Sequence, residues 1–252
     1  PLQNLDGYDI VETVARQPWV KHGKVGMMGI SYGGISQLFT AQTQPPSLAA
    51  ITPISLIDQV QTTLYPGGIL NTGFAFNWAK ERAKEARPSG PDDDQGQRWA
   101  WKRIEEGDEV CKENQVMHGE AAKLINKVRA NDTYRPKVAD PLSPITFVDK
   151  INVPVFMACQ WTDEQTGGHC PTLANRFTGT DKKWFTFTNG THVDSLAPET
   201  FNRWYDFLQL YVAREARGRG VGDALLTALE ERARAVGYHK LVLAAFPENA
   251  AG

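Results

Sequence analysis

The sequence predicts an α/β protein built on a mostly parallel sheet, and three observations lead there. Short apolar-rich runs at Lys24–Ile30, Leu48–Ser55, Val153–Cys159 and Lys183–Thr188 are separated by segments of helical pattern, as in parallel sheets covered by helices. The first run enters Gly29-Ile30-Ser31-Tyr32-Gly33 and then a helix-compatible segment, Ile35–Gln42. That strand–turn–helix context forces a serine onto a tight, strained turn with its hydroxyl exposed. Ser31, Asp163 and His192 all lie in loops that leave the carboxyl ends of these runs, where open parallel sheets gather their reactive groups.

Composition narrows the partners. At 252 residues the chain is long enough for one large or two small domains with a sizeable core. A hydrophobic share of 41% with 22% charged residues is ordinary for a globular protein. A net charge of -2 gives no reason to expect nucleic acid or an anionic membrane as partner. No run approaches the roughly 18 apolar residues of a membrane span, and no signal-peptide pattern opens the chain. Cys111, Cys159 and Cys170 form no Cys-x-x-Cys pair, and their odd number argues against a disulfide framework. Both features favour the cytoplasm, although a chain that starts at Pro1 reads as a fragment or a processed product.

Taken in order, Asn4–Ala15 reads as a helix with Leu5, Tyr8, Val11 and Ala15 at 3–4 spacing. It feeds the Lys24–Ile30 strand and the Ser31 turn, where side chains at Gly29 or Gly33 would crowd the backbone. Pro45-Pro46 ends the next helix, and Leu48–Ser55 is the second strand. From about residue 59 to 141 the pattern becomes helical, at Phe74–Ala86 and Gln97–Ala130, interrupted by the Pro88–Asp94 breaker. This stretch reads as a helical cap inserted between strands. Trp78, Trp99 and Trp101 are candidates to line a pocket, against the plainer reading of an aromatic packing stripe. The Asp92-Asp93-Asp94 run reads as a solvated loop. Val153–Cys159 returns the chain to the sheet with Pro154 near its start, where a missing N–H is tolerated. Lys183–Thr188 is the fourth strand.

The order Ser31…Asp163…His192 is that of α/β-hydrolase triads. In this scheme His192 takes the Ser31 proton, Asp163 fixes the imidazole, and the N–H of Tyr32 at the helix start faces an oxyanion. Glu164 is the alternative acid and His169 the rival base. A metal cluster of Asp163, Glu164 and His169 matches no known ligand spacing. His22, His118 and His239 read as surface residues.

Gly29-Ile30-Ser31-Tyr32-Gly33-Gly34, Trp161-Thr162-Asp163-Glu164-Gln165-Thr166-Gly167-Gly168-His169 and Asn189-Gly190-Thr191-His192 together resemble the cocaine-esterase-like (CocE/NonD) hydrolases, relatives of X-Pro dipeptidyl-peptidases. The resemblance covers residues 1–212. It implies a truncated α/β-hydrolase with a helical cap, a serine hydrolase acting on small-molecule esters or amides through an acyl-enzyme and needing no cofactor. Ser31, Asp163 and His192 inherit the roles of nucleophile, acid and base. The family's second oxyanion donor, a tyrosine hydroxyl, has no counterpart here, and losing one such donor typically costs on the order of 100- to 1000-fold in turnover. The early strands and the C-terminal β-sandwich of the family are also missing.

The tail changes character. Arg217-Gly218-Arg219-Gly220-Val221-Gly222, the helix Asp223–Val236, the strand Lys240–Ala245 and Asn249-Ala250-Ala251 resemble the acetyl-CoA-binding motif of GNAT N-acetyltransferases over residues 211–252. That likeness implies pyrophosphate held by N–H groups at a helix start, although Asp223 there would repel phosphate. The chain is thus expected to comprise a partial hydrolase domain, 1–212, and a partial acetyltransferase segment, 213–252. Its rival functions are an acyl-CoA-dependent transferase or CoA-binding module, and an inactive fusion. The two likenesses conflict at Leu210–Ala213: Phe201, Trp204, Tyr205, Leu208, Tyr211 and Val212 form a helical stripe, where an acetyltransferase would end a strand. The longer helical pattern should win. Lys24–Ile30 is expected to be an apolar sheet edge, covered by Lys240–Ala245 or by a second copy of the chain.

Overall fold

A computed structural model describes residues 2–92, 96–121 and 123–211. In chain order these form α1 (Leu2–Ala15), β1 (Val25–Ile30), α2 (Tyr32–Ala41), β2 (Leu48–Ile54), α3 (Val60–Leu64), α4 (Ala75–Glu85), α5 (Arg98–Glu105), α6 (Glu109–Ala121), α7 (Leu124–Ala130), α8 (Pro136–Ala139), β3 (Val155–Gln160), β4 (Lys183–Thr188) and α9 (Pro198–Tyr211). Short 3-10 turns join several of them. The described residues divide into a sheet unit, residues 2–58, 144–163 and 167–211, and a helical unit within 59–143 together with 164–166.

Among the described residues the sheet unit holds one four-stranded sheet in the order β1-β2-β3-β4, parallel throughout. Period-2 alternation explains how it buries both faces. Val155, Met157 and Cys159 of β3 share a core with Val11, Leu38 and Ala41 of α1 and α2. Phe156 and Ala158 point the other way and pack with Trp204 and Phe207 of α9. Each such large side chain contributes roughly 1.5–3 kcal/mol on burial. Every residue of the central β3 is buried, whereas those of β4 are half-buried and β1 is the most open strand. Pro154 falls just outside β3, where its carbonyl accepts from Ile51.

Several expectations need correction. Leu5 is 57% exposed, and α1 seats itself through Val11 and Ala15. The helical pattern over Gln97–Ala130 is cut into three. Gly107, at φ +88°, ends the first piece, Asp108 caps the second by accepting the Cys111 N–H, and Lys123 leaves helical geometry before the third. Cys159 and Cys170 are joined as a disulfide, their Cα atoms 6.2 Å apart, because the loop after β3 turns back on the strand it left. The odd count concealed one pair and a lone Cys111, so the cysteines no longer favour the cytoplasm. No helix among the described residues is long and apolar enough to cross a membrane.

At the contested end of the sheet unit, α9 runs unbroken to Tyr211 as a helix. Trp184, Phe207 and Tyr211 lock it to the sheet with ring centroids 4.9–5.4 Å apart. Among the described residues β1 pairs with β2 alone; Lys240–Ala245, expected to cover that edge, lies outside them, as does all of 212–252.

The helical unit has a small core of Tyr65, Phe76 and Val128. Of the three tryptophans considered for a pocket, Trp99 is 70% exposed and lines an open groove with Arg98, Arg103, Val110 and Cys111. Trp78 lies beneath the Arg82 guanidinium and Trp101 lies against Gly90. Of the acidic run, only Asp92 is described.

Candidate active site

Ser31 ends β1 and starts α2 with φ 59° and ψ −125°. A non-glycine residue reaches that region only when its surroundings over-determine it. The Ser31 N–H donates to the Ile54 carbonyl at 2.8 Å, and the Ser31 carbonyl accepts from Gly34 and Ile35. The crowding expected at Gly33 is absent, since a side chain there would meet open space. A Cβ on Gly29 would instead lie 2.8 Å from the Gly33 backbone, and one on Gly34 would lie 2.7 Å from the Ile54 carbonyl. Those two approaches set α2 directly against the sheet.

Gln37 fastens the same turn, and nothing in the sequence pattern signals it. Fully buried, its amide donates to the Gly33 carbonyl at 2.9 Å and, more weakly, to that of Gly29 at 3.4 Å. Its carbonyl accepts from the Thr52 N–H at 2.8 Å. One side chain thereby ties both flanks of Ser31 to β2. The Ser31 hydroxyl makes no capping bond to its own helix. The first helical amides that bond back are those of Gly34 and Ile35, which leaves the Tyr32 N–H at the helix start outside the ladder. The Tyr32 side chain is 61% exposed.

Toward the other edge of the sheet, Asp163 follows β3 and His192 follows β4. His192 Nδ1 and Asp163 Oδ2 lie 2.7 Å apart, and both side chains are buried. A carboxylate at that distance keeps the ring proton on Nδ1 and leaves Nε2 as the acceptor. The two loops are stitched together: the Thr162 hydroxyl donates to the Gly190 carbonyl at 2.6 Å, and Thr191 and Asp194 form a capping box around the turn that starts at His192. Glu164 is exposed and accepts from Gln165, while His169 is exposed and its backbone carbonyl orders the next turn through Thr172. Asp163, not Glu164, therefore meets the imidazole, and His192, not His169, meets the acid.

His192 does not stay beside its own strand. Its carbonyl lies 3.3 Å from the hydroxyl of Ser55, the residue after β2, and accepts from Ser195 at 2.9 Å. Ser31 bonds to Ile54, so Ser31 and His192 both touch the Ile54–Ser55 dipeptide. Among the described residues no three His, Cys, Asp or Glu side chains gather in a way that could hold a metal ion. The residues 217–222 that would cradle a pyrophosphate lie outside the described part. Sequence reasoning missed Gln37, Ser55, Gln160 and Ser195. The last residue of β3 and the first residue after β2 are the positions at which a polar side chain could have been flagged.

Comparison with known proteins fits this frame. The model of the X-Pro dipeptidyl-peptidase (S15) family matches residues 1–194. The acetyltransferase (GNAT) family model matches residues 185–252 and so overlaps it on β4 and His192. A CocE/NonD family hydrolase from Staphylococcus aureus superposes with a TM-score of 0.61 at 18% identity, covering 85% of this chain and 33% of its own. An aminopeptidase from a marine-sediment Thaumarchaeota archaeon gives 0.59 at 17% identity, covering 84% and 38%. The chain thus spans a third or slightly more of the length of these structures, which share its fold. No curated protein matches the sequence. From the family match over most of its length, the chain belongs to the X-Pro dipeptidyl-peptidase (S15) family.

Proposed function

We propose that the sheet unit is a serine hydrolase that cleaves small-molecule esters or amides through an acyl-enzyme. The observation that carries this reading is the buried Asp163–His192 hydrogen bond at the same end of the sheet as a serine in a strained strand-to-helix turn. Ser31 Oγ attacks the substrate carbonyl carbon while His192 Nε2 takes its proton. The tetrahedral oxyanion is met by the Tyr32 N–H, with the positive end of α2 behind it. His192 then protonates the leaving group, and water repeats the sequence to release the acid. Asp163 holds the tautomer that the first step requires and stabilises the imidazolium that follows. The names of the similar structures, a hydrolase and an aminopeptidase, agree with acyl transfer.

Labelling with a fluorophosphonate probe tests the assignment. The chain should carry one adduct at Ser31, absent from Ser31→Ala and strongly slowed in His192→Gln. An unlabelled wild type, or a Ser31→Ala variant labelled to the same extent, would sink it.

The acetyltransferase match supports a second activity in the tail. On that reading Arg217, Gly218, Arg219, Gly220, Val221 and Gly222 wrap the pyrophosphate of acetyl-CoA. Calorimetric titration with CoA decides: binding that weakens in Arg217→Ala supports it, and no heat at millimolar ligand ends it. A chain that is neither labelled nor bound to CoA would be an inactive fusion.

A further inference from the structure

We propose that Ser55, oriented by Gln160, is a positioning residue that hooks His192 back across the sheet to the Ser31 side. The inference rests on the reading of His192 as the base. His192 leaves β4 and Ser31 leaves β1, the two outer strands of the sheet among the described residues. With strands roughly 4.8 Å apart, three strand spacings separate those two ends by about 14 Å. Something must draw the histidine loop inward. The Ser55 hydroxyl, one residue past the end of β2, reaches the histidine carbonyl from the β1 side of the sheet.

Two features single out Ser55. It adopts φ 53°, left-handed backbone that a serine occupies only at a cost. It is also 1% exposed, so its hydroxyl must be satisfied inside the protein. Its Oγ lies 2.8 Å from Gln160 Oε1 and 3.3 Å from the His192 carbonyl. Both neighbours are acceptors, and a hydroxyl carries one proton. Meanwhile Gln160 Nε2, on a side chain 1% exposed, is buried with no hydrogen-bond partner among the described residues.

One adjustment answers both problems. The two ends of a carboxamide have nearly the same shape, so hydrogen bonding decides which way it faces. Turned over, Gln160 donates from Nε2 to Ser55 Oγ, and Ser55 keeps its proton for the His192 carbonyl. The atom left without a partner is then an acceptor, which proteins tolerate better than an orphaned donor. The result is a directed chain from Gln160 at the end of β3, through Ser55 at the end of β2, to the backbone of His192. Ser195 donates to the same carbonyl from within the histidine's own turn, so it steadies the turn without moving it toward β1.

The test reads the imidazole directly. The Nδ1 proton held by Asp163 gives a far-downfield proton resonance, assigned by its loss in His192→Gln. Ser55→Gly removes the hydroxyl and suits the left-handed backbone, so it should fold. The resonance should broaden or vanish in it, with far-UV circular dichroism unchanged. The rate of Ser31 phosphonylation should fall on the order of 10- to 100-fold, as expected for a misplaced catalytic group. Gln160→Met, which keeps the Ser55 donor and removes its orienting partner, should show a smaller change of the same kind and serves if Ser55→Gly does not fold. A folded Ser55→Gly with a sharp, unshifted resonance overturns the hook, as does a wild type without the resonance. If the resonance behaves as expected and wild-type Ser31 takes no phosphonate, the hydrolase reading fails and the hook stands.

Discussion

The sheet unit and the helical unit handle awkward groups in opposite ways. Every non-glycine residue with positive φ among those described, namely His22, Ser31, Gln44 and Ser55, lies in the sheet unit. Among its described residues the helical unit confines positive φ to Gly67, Gly68, Gly96 and Gly107. In the sheet unit the acid–base pair of Asp163 with His192 is buried. The ion pairs of the helical unit are solvated and near one another in sequence, such as Lys102 with Glu106 and Lys112 with Glu109. Strain and buried charge persist only where the surroundings over-determine them. The difference shows which unit has stability in reserve: a sheet covered on both faces can hold a serine at φ 59°, and a cluster of three buried residues is not asked to.

The largest expected effects compare the two cores. Phe156 is 1% exposed between the sheet and α9, and Phe156→Ala should cost about 3–5 kcal/mol. Phe76→Ala should fall at the low end, about 3 kcal/mol. The Lys80 and Arg129 side chains lie over the Phe76 ring and can close on the gap. Urea dependence of hydrogen exchange, read separately for amides of each unit, measures both. A Phe76 variant as damaging as the Phe156 variant would erase the contrast.

Next come two glutamines. Gln37→Leu would strand the Thr52 N–H and remove one of the donors to the Gly33 carbonyl, which would keep the Ser36 hydroxyl, for a loss of about 2–3 kcal/mol. It should also slow phosphonate labelling of Ser31, because the turn loses its clamp. Among the described residues Gln115 bonds one turn back, from Nε2 to the Cys111 carbonyl and sulfur. Gln115→Leu should therefore stay within about 0.5 kcal/mol of wild type. Similar losses in both variants would mean that Gln37 is an ordinary buried amide and not the fastener of the Ser31 turn.

Much of this was legible in the sequence because it is local. Strand positions followed from apolar runs, and all four expected strands are present within one or two residues of their expected bounds. The Ser31 turn was legible because glycine spacing and chain direction are written in adjacent residues. What escaped depends on partners far away in sequence. Gln37 meets Thr52, Ser55 meets Gln160 105 residues later, and Cys159 meets Cys170 through a loop that folds back. A glutamine on an apolar helix face or a serine ending a strand has no periodicity to betray its partner. The exposed Leu5 failed for a related reason: spacing gives a helix its stripe, and only packing decides which stripe is buried. The Gln97–Ala130 pattern hid its breaks because the side chain of Asp108 can start a helix as readily as it can sit within one.

The smallest effects have opposite signs in the two units, which makes them the most discriminating. Burial holds the Asp206 carboxyl of α9 above its usual range. Its folded pKa lies above the unfolded value of about 3.9, so its contribution to the sheet unit is most favourable below that value and is lost as pH rises through the folded pKa. In the helical unit, the Cys111 N–H first and then Arg103 hold the Asp108 carboxyl below its usual range. That contribution is present above about pH 3.9 and is lost as pH falls through the folded pKa. Asp206→Asn should thus raise the melting point at pH 7 by about 1 °C, since the carboxylate is only partly shielded from water, and the gain should vanish near pH 4. Asp108→Asn should do the reverse, a small loss at pH 7 that disappears in acid. Unit-resolved hydrogen exchange at pH 7, at pH 4 and at about pH 2 reads both slopes, the last point being the one that takes Asp108 below its unfolded pKa. Parallel slopes would mean that α9 seats Asp206 in water as freely as the helical unit seats Asp108. The sheet unit would then carry strain at Ser31 and Ser55 without also carrying the cost of a half-buried charge.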